Sequence, residues 1–504
     1  MGSKVFVREA TGLVKKASLL DAVALNVVNM SVGAVFLAFP LYTILLPSVN
    51  GLNLFYCSII ACVLSIPQAV VYTMMSLRIP RTGGDYVWVS RTLGPLIGGT
   101  LAFAGTAMMM LAFNALDVLY GVMALGSSAS LLGVSSLSKL ATPGGAPLLQ
   151  FLIGAFFCVF VIALNVLKPK AGIRLVSVFT IAGVLSLVAA ISVLLFYGRQ
   201  GVIAWVNSLG LSYQTLTSSY TGSAFSLGNT MLFTTFFAIY VYPFLFGAPS
   251  IASELKGKSA IKWNIPLSYL FVSILVTLGF FVLYQVAGFR FVQAAMSNPT
   301  LVNQYSFNLW TLALGVSKNF IVSLTIAIGV ILWNLAPAAF GFISTPRYFF
   351  AQAFDRYLPS LFAYVSPKYG SPVFAHLFDL FVTLGVLGIA TLYYNSILFI
   401  GYSTLSSIVY FAVVGLSAVV FALKKEKGRA KTTLAVCGTL TFSVLVYYTY
   451  NLLRYYQIWG GNPFSFAYVA TVLTLGALIY FVSKSYHKKR GIDISLAFKE
   501  IPPE

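Results

Sequence analysis

The chain has 504 residues, of which 59% are hydrophobic and only 8% are charged. A soluble globular chain carries about 25% charged residues, so the composition excludes a large soluble domain. The formal net charge of +20 lies in short links between long apolar stretches, where basic residues meet anionic lipid headgroups. We therefore expect a lipid bilayer as partner and no nucleic acid.

Apolar runs bounded by proline, glycine and charged residues predict twelve transmembrane helices, numbered here as spans 1 to 12. Each run is close to or longer than the roughly 20 residues that cross a bilayer. The spans cover residues 20–47, 52–77, 95–128, 147–167, 173–197, 228–253, 264–288, 319–346, 375–393, 396–423, 433–453 and 465–483. The sequence thus predicts an all-α polytopic membrane protein.

The basic residues indicate the orientation of these spans. An even number of crossings places both termini on one side, and that side holds all but five of the 31 lysines and arginines. The five on the other side are Lys139, Arg199, Arg290, Lys318 and Arg454. Because cytoplasmic loops are enriched in Lys and Arg, we expect a multi-pass protein of the cell membrane with both termini cytoplasmic.

The spans and links divide the chain into seven predicted segments. They are a cytoplasmic N-terminal segment (1–19), a first repeat with spans 1–5 (20–197), an extracellular loop (198–227), a second repeat with spans 6–10 (228–423), a cytoplasmic loop (424–432), peripheral spans 11 and 12 (433–483) and a cytoplasmic tail (484–504). The two repeats enter the membrane from opposite sides, so they are expected to be inverted.

Two spans contain residues that interrupt a helix. In span 1 the small or polar residues Asn29, Ser31, Gly33 and Ala34 cluster near the centre, which favours local unwinding. In span 6 Pro243 removes a donor and obstructs the preceding turn, and Gly247 and Pro249 follow it. The interruptions, 29–33 and 239–243, occupy equivalent positions in the two repeats, an arrangement that indicates a transport site at the bilayer midplane. The alternative is that glycine and proline are simply frequent in membrane helices.

Some polar residues of the apolar spans are candidates for a functional or an interfacial role. Asp117, in the middle of span 3, costs about 2.5 to 3.5 kcal/mol to insert, which favours a role in binding a cation or a proton. Asn114 is three residues earlier and is expected to project from the same face into the pocket. Asn334, in span 8, is a further pocket candidate, whereas Asp379 beside His376 is expected at the membrane interface. The alternative for Asp117 is a neutral, structural carboxyl paired with a neighbour.

Three links carry motifs. The sequence RIPRTGGDYVWVSRTLGP (78–95) follows span 2, IASELKGKS (251–259) follows span 6, and STPRYFFAQAFDRYLPSLFAYVSPKYGSPVFA (344–375) follows span 8. Over about residues 15–425 the chain resembles the amino acid/polyamine/organocation superfamily of permeases. The resemblance implies a fold of twelve transmembrane helices with five plus five inverted repeats, in which helices 1 and 6 are broken.

The resemblance also implies a function and a site. Members move amino acids or related amines by alternating access, without a cofactor or a resident metal, and the substrate binds main-chain groups of the broken helices. Carried over by position, the site residues are Ser31, Val32, Gly33 and Ala34 opposite Tyr240, Val241, Tyr242 and Pro243. The loop 78–95 is expected to pack beneath the core as an inner gate.

Two features differ from the superfamily pattern. The span 1 interruption has one glycine rather than two, and the helix 5 position at which proton-coupled members carry a lysine offers Gly183 or its neighbours. Span 8 has no central Ser or Thr for a sodium site. The coupling ion, proton or sodium, stays open.

Alternative functions remain at this point. A polyamine transporter or exchanger of the same fold is one. An intramembrane aspartyl protease would need two carboxylates at one depth, and a channel or scaffold would not need inverted interruptions. We expect a transporter and not an enzyme.

Overall fold

The computed structural model describes residue 15, residues 17–394 and residues 401–499. Eighteen α-helices are formed in these ranges. They are α1 (Leu19–Asn29), α2 (Val32–Thr43), α3 (Leu54–Arg78), α4 (Asp85–Thr92), α5 (Pro95–Ala102), α6 (Met109–Leu131), α7 (Pro147–Leu167), α8 (Pro169–Ser208), α9 (Tyr213–Ser219), α10 (Leu227–Tyr240), α11 (Gly257–Ala287), α12 (Phe289–Met296), α13 (Leu309–Val316), α14 (Phe320–Phe354), α15 (Val373–Gly388), α16 (Thr404–Lys425), α17 (Gly428–Arg454) and α18 (Pro463–Lys489). The described residues form isolated β-bridges but no strand.

Eleven helical segments of the described residues are long and apolar enough to cross a membrane. They match eleven of the twelve predicted spans in position, with α1 and α2 together forming the first and α5 and α6 the third, through a π-helical turn at Phe103–Met108. The first residues predicted for span 10 (396–400) and most of the N-terminal segment lie outside the described residues. The structure is therefore that of a polytopic, nearly all-helical membrane protein.

The predicted span 6 differs from the other eleven. Its helix, α10, is 14 residues long, or about 21 Å at 1.5 Å per residue, which is shorter than the roughly 30 Å hydrocarbon core. The chain continues from Val241 to Lys256 without an α-helix. The predicted interruption at 239–243 thus falls where α10 ends, whereas the rest of span 6, which was predicted to continue to residue 253, is irregular, because Pro243 and Pro249 cannot donate main-chain hydrogen bonds.

The irregular segment runs alongside α1 in the opposite direction. Phe244 contacts Asn29 at the end of α1, Ala248 contacts Asn26 one turn earlier, and Glu254 contacts Ala17 before the helix begins. These main-chain groups are therefore bonded to other parts of the protein and not exposed to lipid, as irregular backbone at membrane depth requires.

The interior of the bundle contains α1 and α2, whose residues are nearly all buried. Helices α7, α8 and α18 instead present large apolar side chains outward, among them Phe156, Phe196 and Val482. Outward apolar surface on long helices is typical of contact with lipid. The bundle thus encloses the interrupted helix and exposes the continuous ones.

Candidate functional site between two interrupted helices

The interruption of the first span lies at Met30 and Ser31, between the end of α1 at Asn29 and the start of α2 at Val32. Ser31 has a φ of 26°, a left-handed conformation that costs a non-glycine residue about 1 to 3 kcal/mol. The first amides of α2 and the last carbonyls of α1 lack partners within their own helices. Main-chain donors and acceptors therefore meet at this point in the bundle.

The second interruption follows α10. Val241 ends the helix with φ −123° and ψ −85°, and its amide donates to the carbonyl of Phe237. The next carbonyl groups are held by side chains, because Gln68 donates to Pro243 (2.9 Å) and Asn29 donates to Phe244 (2.9 Å). The unwound segment is thus fixed in place by amide side chains of α3 and α1.

Two asparagines on one face of α1 join the interruptions. Asn29 binds the carbonyl of Phe244, and the Asn26 side chain accepts from the amide of Ala248 (2.7 Å) and donates to Asn264 of α11 (2.9 Å). Asn26 and Asn29 are buried. Since a buried polar group without a partner costs about 1 to 3 kcal/mol, these bonds hold the two irregular segments at a fixed separation.

A small central cavity lies between the interruptions. It has a volume of about 10 Å³, room for about one water molecule. Six of its lining residues are Asn29, Ser31, Phe113, Asp117, Tyr240 and Phe244. Asp117 is 3% exposed, and its Oδ1 has no hydrogen-bond partner among the described residues. The cavity therefore joins one carboxyl group to hydroxyl, amide and main-chain groups inside an aromatic wall.

Three tyrosines cover the cavity on the side where α6 ends. The hydroxyl of Tyr240 lies 2.8 Å from that of Tyr42 and 2.8 Å from that of Tyr120. Tyr120 follows Asp117 by one turn of α6, and Met123 follows Tyr120 by another. The tyrosine layer, defined as Tyr42, Tyr120 and Tyr240, thus links α2, α6 and α10 above the carboxyl group.

A larger space, the vestibule, lies beyond the tyrosine layer. It has a volume of about 350 Å³ and is lined by Leu37, Pro40 and Leu41 of α2, Met123 and Ser127 of α6, and the loop residues 302–303 and 306–308. Because Met123 and Ser127 follow Tyr120 along α6, the tyrosine layer lies between the vestibule and the central cavity.

The loop 78–95 packs against the opposite end of the bundle. Gly83 and Gly84 have φ of 85° and 43°, and a Cβ at these positions would lie 2.5 Å from the Ala351 side chain and 2.9 Å from the Pro249 main chain. Only glycine permits this approach with positive φ. The loop therefore lies directly against α14 and the irregular segment, beneath the central cavity.

Buried acidic residues anchor this end. Asp85 accepts hydrogen bonds from Tyr72 of α3 (2.7 Å) and Tyr348 of α14 (2.8 Å). Burial raises the pKa of Asp85 to about 6, and the bonds from Tyr72 and Tyr348 oppose that rise. The carboxyl group joins the loop to two membrane helices.

Two buried ion pairs complete the closure. Arg347 of α14 lies 3.1 Å from Glu254, with side chains 3% and 0% exposed. Arg91 of α4 donates to Asp355 at 2.7 Å, and Tyr86 donates to the same carboxylate at 2.8 Å. These contacts join the loop 78–95, the irregular segment and the end of α14, so the bundle is closed on this side by charge pairs as well as packing.

The structure brings three of the predicted site residues to the central cavity: Ser31, Asp117 and Tyr240. Val32, Gly33 and Ala34 are buried in the first turn of α2, where the Gly33 carbonyl accepts from Trp310 Nε1 (3.2 Å). Val241 ends α10, and Pro243 offers its carbonyl to Gln68.

Three predicted residues bind elsewhere. Tyr242 donates to the carbonyl of Ser58 in α3 (3.2 Å), and Asn334 donates to Val330 within its own helix (2.8 Å). Asn114 donates to Asp379 of α15 (3.2 Å) instead of facing the cavity. Positions three apart differ by about 60° around a helix, which is enough to direct Asn114 and Asp117 to different neighbours. Asp379, which was expected at the membrane interface, is fully buried within the bundle.

Sequence reasoning missed Asn26, Phe113 and Phe244. Asn26 and Asn29 are three residues apart in an apolar helix, and buried amides repeating at this spacing are a signal for a shared polar face. The two phenylalanines carry no such signal in a chain with 42 of them. Their place at the cavity depends on the packing of α6 against the irregular segment.

The chain matches a known protein family. A family model described as amino acid permease matches residues 19–482. None of the curated proteins compared matches the chain.

Proposed function

The chain belongs to the amino acid permease family of the amino acid/polyamine/organocation superfamily, and from this premise we propose that it is a secondary transporter that works by alternating access. Its substrate is an amino acid or a related amine. The observation that carries the proposal is the pair of interruptions that face each other across a buried cavity containing Asp117. Helix interruptions that line a cavity are the usual binding elements of transporters with inverted repeats.

Substrate recognition follows from the groups at the cavity. The first amides of α2 attract a carboxylate, because a helix N-terminus carries partial positive charge. The last carbonyls of α1 and the carboxyl group of Asp117 attract an ammonium group. The proposed binding set is Ser31, Val32, Gly33 and Ala34 on one side and Tyr240, Val241, Tyr242 and Pro243 on the other, with Asp117 beside the amino group. Tyr242 would contribute only main-chain groups, because its side chain bonds to Ser58.

Alternating access requires that each side can close. The tyrosine layer separates the vestibule from the cavity, while the pairs Arg347–Glu254 and Arg91–Asp355 close the opposite end. We propose that these two sets of contacts break in turn, and that the central cavity of about 10 Å³ widens when either set opens.

The proposed topology has twelve crossings. Helix α10 and the irregular segment together form the sixth crossing, since their contacts extend from Tyr42 in α2 to Ala17 before α1. The repeats are 20–197 and 228–423, spans 11 and 12 are peripheral, and the distribution of basic residues supports cytoplasmic termini in a cell membrane.

An intramembrane aspartyl protease is less well supported. That chemistry requires two carboxyl groups that share a site. Asp379 Oδ1 accepts instead from Asn114 and Thr383, and Asp117 lines the central cavity. The family match likewise favours transport over enzymatic activity.

Counterflow into proteoliposomes tests the proposal. Vesicles containing purified protein are loaded with one unlabelled common amino acid or polyamine, and entry of the same labelled compound is measured with and without ionophores. A transporter gives transient entry above equilibrium for its substrates only. The proposal would be overturned if none of these compounds entered, or if the vesicles showed a conductance that did not depend on the loaded compound.

A further inference from the structure

A second buried polar cluster lies beside the central cavity. It consists of Asn114 on α6 and of His376, Asp379 and Thr383 on α15, all fully buried. Asp379 Oδ1 accepts from Asn114 Nδ2 at 3.2 Å and from Thr383 Oγ1 at 3.1 Å. The transport function as proposed uses none of these four side chains.

Several atoms of this cluster have no hydrogen-bond partner among the described residues. They are Asp379 Oδ2, Asn114 Oδ1 and both ring nitrogens of His376. A buried acid and a buried imidazole with open positions are costly, and ionisable groups inside the membrane mark ion or proton pathways. Asp379 Oδ2 and the ring nitrogens of His376 are atoms at which a proton can be added or removed.

The cluster lies between the central cavity and the end of the bundle closed by ion pairs. Asn114 precedes Asp117 by one turn of α6, toward that end, and Asp379 bonds to Asn114. His376 precedes Asp379 by one turn, in the first turn of α15. The order Asp117, Asn114, Asp379, His376 therefore leads from the cavity to the start of α15.

Each helix around the cluster contributes a defined neighbour. Helix α14 presents Arg347, whose charge reaches His376 and is paired with Glu254. Helix α7 presents Cys158, within reach of the Asp379 charge. Gly341 of α14 has no side chain, and this leaves room for the Asn114 amide. A Cβ at this position would lie 1.7 Å from Asn114 Oδ1. The side of the cluster facing α14 is thus shaped around the Asn114 amide.

We propose that this cluster carries the coupling proton, with Asp379 as the carrier and His376 as the group that passes the proton to the side of Arg347. The inference rests on the proposed transport function. A proton taken up by Asp379 Oδ2 gives a neutral acid, its transfer to an imidazole nitrogen restores the carboxylate, and the imidazolium releases it to water when that side opens. Imidazole suits this transfer because each of its two ring nitrogens can accept or release a proton. A metal cation would instead need several oxygen ligands.

The test separates exchange from proton-driven accumulation. Proteoliposomes with full-length protein and an internal pH dye receive a labelled mixture of the common amino acids and spermidine, first as counterflow and then with an external acid pulse. We expect wild type to accumulate label and acidify the interior. Asp379→Asn resembles a permanently protonated carrier, so it should keep counterflow within about twofold and lose about tenfold or more of the proton-driven accumulation.

Further variants give this test its controls. His376→Gln should slow interior acidification, whereas His487→Gln and Asp493→Asn, outside the cluster, should behave as wild type. Asp379→Glu keeps a carboxyl group, so proton-driven accumulation should persist with a shifted pH midpoint. This variant tests the inference even if Asp379→Asn does not fold. The infrared absorption of protonated carboxyl groups should decrease in Asp379→Asn and stay unchanged in Asp493→Asn.

Three results would overturn the inference while leaving transport intact. In the first, accumulation by wild type does not change after the acid pulse. In the second, accumulation depends on a sodium gradient. In the third, proton-driven accumulation persists in Asp379→Asn. Wild type without counterflow would instead refute the transport function and, with it, this inference.

Discussion

The side chain of Asn29 at the end of α1 donates a 2.9 Å hydrogen bond to the carbonyl of Phe244 in the irregular segment after α10. Both residues also line the central cavity. The bond therefore sets the distance between the two interruptions, and any widening of the cavity between them has to stretch or break it.

Replacing Asn29 by alanine should weaken both folding and transport. The carbonyl of Phe244 would lose its partner in a buried position, at a cost of about 1 to 3 kcal/mol, and the interruptions would lose a fixed spacing. We expect a lower melting temperature and a roughly tenfold fall in counterflow. Asn229→Ala is the matched control, because Asn229 bonds to the carbonyl of Asn50 (2.7 Å) at an exposed site. Equal behaviour of the two variants would contradict the role of Asn29.

Replacing Asp117 by asparagine should alter transport without loss of folding. The amide fills the same volume and replaces a buried ionisable group by a neutral one, so stability should not fall. If Asp117 contacts the substrate's ammonium group, KM should rise about tenfold with a smaller change in the maximal rate. Uptake kinetics from about pH 5 to about pH 8 measure this, with Asp493→Asn as control. Unchanged uptake across that range would remove Asp117 from the mechanism.

Much of the fold was predictable, because the length and hydropathy of an apolar run are enough to identify a membrane helix. Eleven spans were confirmed in position, and the interruption at Ser31 falls within the predicted stretch. The predicted interruption of span 6 at 239–243 includes the end of α10, but the span was expected to continue to residue 253, because the stretch after Tyr240 is as apolar as a helix. Its path beside α1 depends on contacts with Asn26 and Asn29, which are distant in sequence.

The site was less predictable than the fold. A helical face is known from sequence only to within tens of degrees, so Asn114 and Asp117 were assigned to one pocket although they bind different neighbours. Asp379 was placed at the interface by its distance from the helix end. Asp379 is buried because α6, α7 and α14 cover the first turns of α15. The packing of these helices cannot be predicted from a local sequence pattern.

Replacing Asp85 by asparagine should flatten the dependence of stability on pH. Because burial raises the pKa of Asp85 from 3.8 to about 6, the folded protein binds this proton more tightly than the unfolded chain does. Stability from this group is therefore full below about pH 4 and is lost as pH rises through about 6, by roughly 3 kcal/mol. Melting temperature should fall over this range more in wild type than in Asp85→Asn.

The surroundings of Asp85 define the control for this measurement. Tyr72, Tyr348 and Tyr410 face its carboxyl group and stay neutral over this range. Asp493 is exposed, and bonds from Ser495 lower its pKa, so Asp493→Asn should not flatten the profile. Parallel pH profiles for wild type and Asp85→Asn would show that Asp85 is not the group responsible.

Breaking the pair of Arg347 and Glu254 should be costly, and removing both charges should not. Arg347→Met leaves Glu254 buried without a partner, at a cost of about 3 to 5 kcal/mol. Adding Glu254→Gln should restore most of the melting temperature, while transport stays impaired because the closure has lost its charges. Arg78→Met is the matched control, because its pair with Glu426 is partly exposed and such pairs contribute about 0 to 1 kcal/mol. A double variant as unstable as Arg347→Met would refute this account.

Replacing Gly83 by alanine should prevent the loop 78–95 from closing against α14. Two costs apply, since Gly83 has a φ of 85° and an added Cβ would lie 2.5 Å from the Cβ of Ala351. Gly94 in the same loop has a φ of 96° and nothing within 4 Å of an added Cβ, so Gly94→Ala measures the backbone cost alone, about 1 to 2 kcal/mol. The overlap should destabilise Gly83→Ala by a further 1 to 3 kcal/mol or so. Melting temperature and counterflow should both fall more in Gly83→Ala than in Gly94→Ala. Equal losses in the two variants would mean that the loop tolerates a wider separation from α14 than the closed bundle shows.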